Sequence, residues 1–155
     1  MPKLSAGLLL YRVGDGATEV LIAHPGGPFW ARKDDGAWSI PKGEYLIGED
    51  PWAAAQREFT EELGLAPPAG PRLELGEVRQ AGGKVVTVFA VCADLDITDS
   101  RSNTFEMEWP PRSGRMQTFP EVDRVAWVTV EVARTKLLKG QLPVLDRLLD
   151  ALRDC

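Results

Sequence analysis

One segment, DPWAAAQREFTEELG at residues 50–64, constrains the fold most, because it defines a helix and marks both of its ends. Asp50 is a favourable N-cap residue, and Pro51 suits the first helical position, where no amide partner is needed. Gly64 is the expected stop, since glycine adopts the left-handed conformation that ends many helices. Four apolar side chains share one stripe at helical spacing: Trp52, Ala55, Phe59 and Leu63. The segment therefore predicts an amphipathic helix packed on a sheet.

Short β-leaning runs on both sides of this helix predict the sheet. LSAGLLLYRV and TEVLIAH, joined by the turn sequence GDGA, predict a hairpin. LELGEVRQ, KVVTVFAVCA and RVAWVTV predict three further strands, and WSIP predicts one short strand. VEVARTKLLKG and LPVLDRLLDALRD predict two more helices, whose apolar side chains we expect to pack on the core. Residues 94–121 form one long connection, and connections of this length in compact domains are usually functional or mobile.

Composition narrows the class of protein. The chain has 155 residues and a net charge of -5, which disfavours a broad nucleic-acid interface because phosphate backbones are usually met by a basic surface. The two cysteines, Cys92 and Cys155, suggest neither a disulfide framework nor a zinc cluster, and this favours a reducing compartment. The longest apolar runs fall short of the roughly 20 residues that span a bilayer. We therefore expect a single domain over residues 1–155 in the cytoplasm, with no membrane partner.

The end of the helix carries an electrostatic conflict. Glu58, Glu61 and Glu62 lie within five positions, and residues three or four apart on a helix are neighbours. Like-charge pairs cost about 0.2–0.5 kcal/mol each, and each anion near a helix C-terminus adds about 0.3–1 kcal/mol. Arg57 can relieve part of this cost by pairing with Glu61 one turn later. Two interpretations remain: a solvated acidic face, or a site where Mg²⁺ or Mn²⁺ binds to carboxylate oxygens.

The wider sequence around the helix favours the second interpretation. GEYLIGEDPWAAAQREFTEELGL, residues 43–65, has the order Gly43, five residues, Glu49, seven residues, Arg57-Glu58, an apolar residue, any residue, Glu61-Glu62, any residue, glycine and an apolar residue. This resembles the signature box of the Nudix hydrolases at every defined position. WSIPKGE is similar to the segment that commonly leads into that box. The resemblance implies an α/β Nudix fold, a mixed β-sheet sandwiched between helices.

The resemblance also implies an activity and a set of site residues. Nudix proteins hydrolyse a pyrophosphate linkage in a nucleoside diphosphate joined to a further group. By position in the box, Glu58, Glu61 and Glu62 match the metal ligands, and Gly43 offers its backbone carbonyl to a metal. Arg57 matches the arginine that orients a catalytic glutamate, and Glu49 matches the glutamate that supports the loop or that arginine. Mg²⁺ is the implied cofactor, with Mn²⁺ as an alternative, and either Glu61 or a loop glutamate is the expected general base.

Four further residues are candidate substrate contacts. Lys42, just before the box, is placed to pair with a phosphate, and Trp38 in the first large loop is a candidate for stacking on a base. Arg112 lies in the long connection and adds local positive charge, and Glu108 lies where Nudix proteins often supply an extra carboxylate. For each of these residues, an ordinary structural or solvated role remains open at this point.

Three functions fit the sequence. The first is a Mg²⁺-dependent hydrolase acting on a dinucleoside polyphosphate, a nucleoside triphosphate or a similar small nucleotide. The second is a catalytically silent nucleotide-binding sensor, which the intact box disfavours. The third is a hydrolase of RNA ends, which the acidic charge balance disfavours. We expect a small-molecule nucleotide partner and no nucleic-acid partner, and analogy with the family suggests a homodimer.

Overall fold

The core of the molecule is a mixed β-sheet with helices on both faces. The computed structural model describes residues 3–14 and 16–153. Its strands are β1 (Leu4–Val13), β2 (Thr18–Pro25), β3 (Lys42–Glu44), β4 (Arg72–Arg79), β5 (Val85–Cys92), β6 (Thr104–Glu108), β7 (Met116–Pro120) and β8 (Val122–Thr129). Its α-helices are α1 (Pro51–Leu63), α2 (Val130–Lys136) and α3 (Leu142–Arg153), and short 3₁₀ turns occupy Ala81–Gly83 and Lys139–Gln141.

Strand β1 organises the sheet. The strand order is β4-β5-β1-β2-β8, and β3 also pairs with β1. β1 runs antiparallel to β2 and to β3 but parallel to β5, so the sheet is mixed. The predicted β1–β2 hairpin is confirmed, with the Gly14 amide donating to the Ala17 carbonyl across the turn at 3.0 Å.

Both faces of β1 are buried, which explains its nearly continuous apolar sequence. Leu8 and Leu10 pack on the α1 side, in a cluster with Phe59 and Leu63. Leu9, on the opposite face, joins the cluster that α2 and α3 cover. The α/β/α arrangement implied by the sequence resemblance is therefore confirmed.

Helix α1 begins and ends where its sequence predicts. The Asp50 carboxylate accepts a hydrogen bond from the Ala53 amide at 3.2 Å, and Pro51 opens the helix. Gly64 adopts the left-handed conformation with φ 70°, and its amide donates to the Thr60 carbonyl at 2.7 Å. A side chain at Gly64 would also collide with the carbonyl oxygen of Arg101, 2.2 Å from its Cβ position. The end of α1 is thus fixed against the connection that follows β5.

Two stretches differ from the sequence prediction. Residues 94–121 are not one featureless connection, because β6 and β7 pair in register from Thr104↔Pro120 to Glu108↔Met116 and form a separate two-stranded sheet. WSIP is not a strand, since Trp38 and Ser39 make only isolated bridges, and the strand begins at Lys42. The sequence signal for β6 and β7 was weak because these strands are short and mostly exposed.

Two expectations about the whole chain have partial outcomes. Cys92 is an exposed free thiol, whereas Cys155 lies outside the described residues. Within residues 3–14 and 16–153, none of the helices is both long enough and apolar enough to cross a membrane.

Candidate active site

The glutamates of α1 pack against strand β3. The Lys42 amide donates to Glu62 Oε1 at 3.1 Å, which fixes the Glu62 carboxylate on the strand backbone. One residue further along, a Cβ at Gly43 would lie 2.0 Å from both Cδ and Oε2 of Glu58. Glycine is therefore required here because the Glu58 carboxylate occupies the space that any side chain would fill. Gly43 and helix α1 therefore pack directly against each other.

Arg57 connects the loop before α1 to the helix itself. Its guanidinium contacts the Glu49 carboxylate at 3.3 and 3.4 Å and donates to the Glu44 carbonyl at 3.4 Å. The same group lies 3.6 Å from Glu58 Oε1. The Arg57 side chain thus turns toward Glu49 and Glu58, rather than toward Glu61 as the helical spacing predicted. This geometry suits Arg57 to orienting Glu58.

Burial makes the carboxylates of this region unusually weak acids. Desolvation raises the pKa of Glu62 to about 8, even though the Lys42 amide and ammonium group oppose the shift. Desolvation and the neighbouring charge of Glu61 raise the pKa of Glu58. Burial also lowers the pKa of Lys42, because the charged ammonium loses water. Ionising these buried carboxylates costs free energy in the protein alone. A bound cation would offset much of that cost.

The arrangement of these carboxylates suits a hard divalent cation, with one change from the sequence expectation. Glu58 and Glu61 are close enough that the charge of Glu61 raises the pKa of Glu58. Glu62 instead accepts the Lys42 amide, and among the described residues no three Asp, Glu, His or Cys side chains converge as a ready metal cluster. Glu58 and Glu61, rather than all three glutamates, therefore form the immediate oxygen pair. Oxygen donors alone favour Mg²⁺ or Mn²⁺ over softer metals.

Glu121 is a further acidic residue that the sequence did not single out. It lies between β7 and β8, where its amide donates to the Asn103 carbonyl at 2.8 Å and its carbonyl accepts the Gly26 amide at 2.9 Å. Its side chain lines one cleft together with Glu62, and desolvation and the charge of Glu61 raise its pKa. The signal that could have found it is the alternation of polar and apolar residues in TFEME and MQTFP, which places Glu121 at the base of a hairpin.

A cleft of about 260 Å³ opens beside this acidic region. Glu62 and Glu121 line it together with two lysines, Lys42 and Lys84. Lys84 follows the 3₁₀ turn before β5 and was not predicted from the sequence. Two ammonium groups next to several carboxylates give the cleft a means to bind anionic oxygens and a cation together.

Trp38 is not placed for substrate binding, which corrects the sequence prediction. Its side chain is only 7% exposed and belongs to the core cluster under α2 and α3. Its indole Nε1 donates to Asp34 at 2.7 Å. The sequence suggested an exposed tryptophan because it lies in a loop rich in glycine and charge, but the bridge to Leu137 draws that loop onto the core.

Glu108 and Arg112 lie at the far end of the β6–β7 hairpin. The Arg112 amide donates to the Glu108 carboxylate at 2.7 Å and closes the turn, and both residues are exposed. Four residue steps along β6, from Thr104 to Glu108, separate the two ends of the hairpin, or about 13 Å at 3.3 Å per residue. The structure does not bring these two side chains to α1, and we leave them out of the proposed site.

His24, the one histidine of the chain, has a structural position in the fold. Its ring is fully buried and packs edge-on against Trp38, with centroids 5.2 Å apart. Nδ1 lies 2.7 Å from the Asp123 carboxylate, and Nε2 lies 2.6 Å from the Lys33 carbonyl. These two contacts hold the first loop against β8.

The raised pKa of Glu62 predicts how the stability of the protein depends on pH. The pKa of Glu62 is about 8 in the folded protein, against an ordinary value of 4.5, so the folded state retains the proton longer than the unfolded state does. The stability from this group is therefore present below about pH 4.5 and is lost as the pH rises through about 8. Since about 1 kcal/mol shifts Tm by roughly 2–4 °C at this size, we expect Tm in EDTA to fall by several degrees over that interval.

Mg²⁺ should oppose this loss of stability. Protons and cations compete for the same carboxylates, so Mg²⁺ should raise Tm more at pH 8 than at pH 5. Glu62→Gln should flatten the dependence of Tm on pH, whereas Glu74→Gln, at an exposed strand position, should not. Thermal unfolding followed by circular dichroism measures Tm of each protein in Mg²⁺ and in EDTA, at pH 5 and at pH 8. Equal effects of Mg²⁺ on Tm at both pH values would contradict this account of the acidic region.

The fold and the site together define an α/β/α protein whose capped helix presents glutamate carboxylates beside a lysine-lined cleft. The chain belongs to the Nudix family, since the family model described as the NUDIX domain matches residues 1–148.

Individual relatives agree with this assignment. An RNA pyrophosphohydrolase of Rhodospirillum rubrum is 48% identical over 65 residues, which cover 41% of this chain and 38% of the relative. Nudix hydrolase 7 of Arabidopsis thaliana is 29% identical over 113 residues, covering 70% of this chain and 39% of the relative. The matches thus span about two fifths of the length of these curated relatives. The crystal structure of a C. elegans Ap4A hydrolase binary complex superposes with a TM-score of 0.63 and 25% identity, covering 99% of each chain.

Proposed function

We propose that this protein is a Mg²⁺-dependent Nudix pyrophosphohydrolase that cleaves a pyrophosphate linkage in a small nucleotide. The observation that carries the proposal is the packing of the Glu58 carboxylate against Gly43 and beside Glu61, at the edge of a cleft that contains Lys42. This proximity of carboxylates and an ammonium group supports a site that holds a metal ion and a phosphate together. The similarity to proteins named RNA pyrophosphohydrolase and Ap4A hydrolase supports the same reaction class.

Each residue has a role in this reaction. Glu58 and Glu61, with the Gly43 carbonyl and Glu62 behind them, would hold the Mg²⁺ ion. When bound, Mg²⁺ would neutralise phosphate charge and lower the pKa of a water molecule. Arg57 keeps Glu58 in position through the contacts described above.

The protein side chains then handle the phosphate and the proton. Lys42 and Lys84 bind the phosphate oxygens in the cleft. A water oxygen attacks one phosphorus atom, the bridging P–O bond breaks, and the released phosphate group leaves with the bond electrons. The proton of the water passes to a carboxylate, for which Glu61 and Glu121 are the candidates, since the charge of Glu61 raises the pKa of Glu121.

The substrates that fit best are dinucleoside polyphosphates and nucleoside triphosphates. A cleft of about 260 Å³ accommodates a short phosphate chain rather than an extended polymer. The net charge of -5 also disfavours a long polyanion. Similarity to a relative named RNA pyrophosphohydrolase supports RNA with a 5′-triphosphate as a second candidate substrate. Cytoplasmic localisation and a homodimer stay predictions.

A substrate panel tests the proposed function. Dinucleoside polyphosphates, nucleoside triphosphates, nucleotide sugars, ADP-ribose and a 5′-triphosphorylated RNA are incubated with the protein and Mg²⁺, and the products are resolved by mass. We expect a nucleoside monophosphate or a shortened phosphate chain, and no product in EDTA. Performing the reaction in ¹⁸O-labelled water identifies the phosphorus atom that is attacked. Tight nucleotide binding without any product in Mg²⁺ or Mn²⁺ would instead support a catalytically silent sensor.

A further inference from the structure

A second cavity adjoins the lysine-lined cleft. Its volume is about 340 Å³, and it lies between the first loop and the β6–β7 hairpin. Its walls come from Phe29, Trp30, Phe105 and Met107, with Glu121 at one side. Pro25, Trp30 and Glu121 line both cavities, so the two lie side by side. Pockets that hold small organic ligands typically measure about 300–1,000 Å³.

Glycine residues bring the two walls of this cavity together. A Cβ at Gly26 would lie 2.0 Å from the carbonyl oxygen of Pro120, and the Gly26 amide donates to the Glu121 carbonyl at 2.9 Å. Gly27 has φ +97°, and a Cβ there would lie 2.9 Å from Cζ of Phe105. The backbone of the loop therefore packs directly on the hairpin, with Gly26 against the Pro120 carbonyl and Gly27 against the Phe105 ring. The cavity is formed by these close contacts and needs no rearrangement to exist.

The ammonium group of Lys33 packs against two of the aromatic rings. Lys33 Nζ lies 4.0 Å from the ring centroid of Phe29 and 4.9 Å from that of Trp30. The two rings meet edge to face, with centroids 5.4 Å apart and planes at 77°. Phe29 nevertheless remains 63% exposed. Rings that are fixed but incompletely covered are well suited to accept a planar aromatic ligand by stacking.

The lining of the cavity has few groups that distinguish one base from another. Among the described residues that line it, Glu121 has the one ionisable side chain, and it also lines the neighbouring cleft. The remaining contacts come from rings, a thioether, prolines and glycines. Stacking on such surfaces is tolerant of base identity, because every base has a π-face. Strong discrimination instead requires paired hydrogen-bonding groups in the site.

We propose that this cavity binds the nucleobase of the substrate by stacking on Trp30 and by apolar contact with Phe105 and Met107, and that it accepts all four common bases. The phosphate chain then extends past Trp30 and Glu121 toward Lys42 and the glutamates of α1. Purines bind more tightly than pyrimidines, because they cover more of the aromatic surface. This inference rests on the proposed function and specifies its substrate class as nucleotides chosen by their phosphate chain rather than by their base.

Binding of uncleavable diphosphates tests the proposal. α,β-Methylene-ADP and its guanosine, cytidine and uridine counterparts are titrated calorimetrically, with methylenediphosphonate as the probe that lacks a base. Trp30→Ala should weaken binding of each nucleotide by about 5- to 140-fold, the effect expected for loss of one base stack. The affinity for methylenediphosphonate should not change. Trp30→Phe retains a ring and should keep most of the affinity, and Trp109→Ala, outside the lining of the cavity, is the matched control.

The outcomes separate this inference from the proposed function. Unchanged nucleotide affinity in Trp30→Ala, with a normal unfolding transition, would overturn the base site even if the wild-type protein hydrolyses pyrophosphate linkages. Preference for one base by more than about 100-fold would overturn the permissive recognition. Loss of nucleotide affinity in Trp30→Ala, in a protein that cleaves no pyrophosphate linkage, would support the base site and reject the hydrolase.

Discussion

Glu61→Gln should lower kcat for the best substrate of the panel by about 10²–10⁴-fold, the range for loss of a general base. The substitution preserves the shape of the side chain but removes the negative charge beside Glu58 and the capacity to accept a proton. KM should change much less than kcat, because Lys42 and Lys84, the proposed phosphate-binding residues, are untouched. Steady-state kinetics at saturating Mg²⁺ measure both parameters. Glu121→Gln, assayed in parallel, identifies which of the two carboxylates takes the proton.

The matched control for Glu61→Gln is Glu74→Gln. Glu74 lies on β4 with a side chain that is 70% exposed, so the same chemical change there should leave both kinetic constants at the wild-type values. Tm of the Glu61→Gln variant in EDTA should equal or exceed that of the wild type, because a like-charge contact with Glu58 is removed. Wild-type turnover by Glu61→Gln would show that this carboxylate has no part in the reaction.

Gly43→Ala should reduce kcat/KM by about 10²-fold or more, although alanine is the smallest possible change, because displacing a site group by about 1 Å can cost that much. The new methyl group would lie 2.0 Å from the Glu58 carboxylate, and that carboxylate must turn away from β3. Tm should change little, since the group that moves is the end of a flexible side chain. Activity and affinity for Mg²⁺ should therefore fall together while the fold persists.

Gly14→Ala is the control for the Gly43 substitution. Nothing lies within 4 Å of a Cβ at Gly14, and its φ is not in the left-handed region. Alanine there should leave kcat/KM and Tm at the values of the wild type. If Gly43→Ala had the same kinetics as Gly14→Ala, the packing of Glu58 against the strand would have no functional consequence.

The sequence predicted those parts of the fold whose signals are local. Asp50, Pro51 and Gly64 determine α1 from within the segment itself, and the structure confirms both ends. The burial of Trp38 could not be predicted in this way, since it depends on a bridge to Leu137, 99 residues later by their numbers. The β6–β7 hairpin was missed because its strands have only five residues each and expose most of them.

The candidate site also contains residues predictable from local sequence and residues that only the tertiary fold brings together. Helical spacing predicts the proximity of Glu58, Glu61 and Glu62, and the resemblance to the Nudix box implied that Gly43 joins them. Glu121 enters from a segment 60 positions after Glu61, and only the tertiary fold brings the two together. The orientation of Glu62 toward the Lys42 amide was equally inaccessible, because helical spacing gives the arc of a side chain but not its hydrogen-bond partner.

Direct binding of Mn²⁺ tests the central claim that the acidic end of α1 binds a divalent cation. Electron paramagnetic resonance measures free Mn²⁺ during titration at pH 8, with wild-type protein and with the double variant Glu58→Gln/Glu61→Gln, each in the presence of α,β-methylene-ADP. We predict that the wild-type protein depletes the free Mn²⁺ signal and that Mg²⁺ restores it, whereas the double variant leaves the signal close to that of nucleotide alone. Equal depletion by both proteins would contradict the claim.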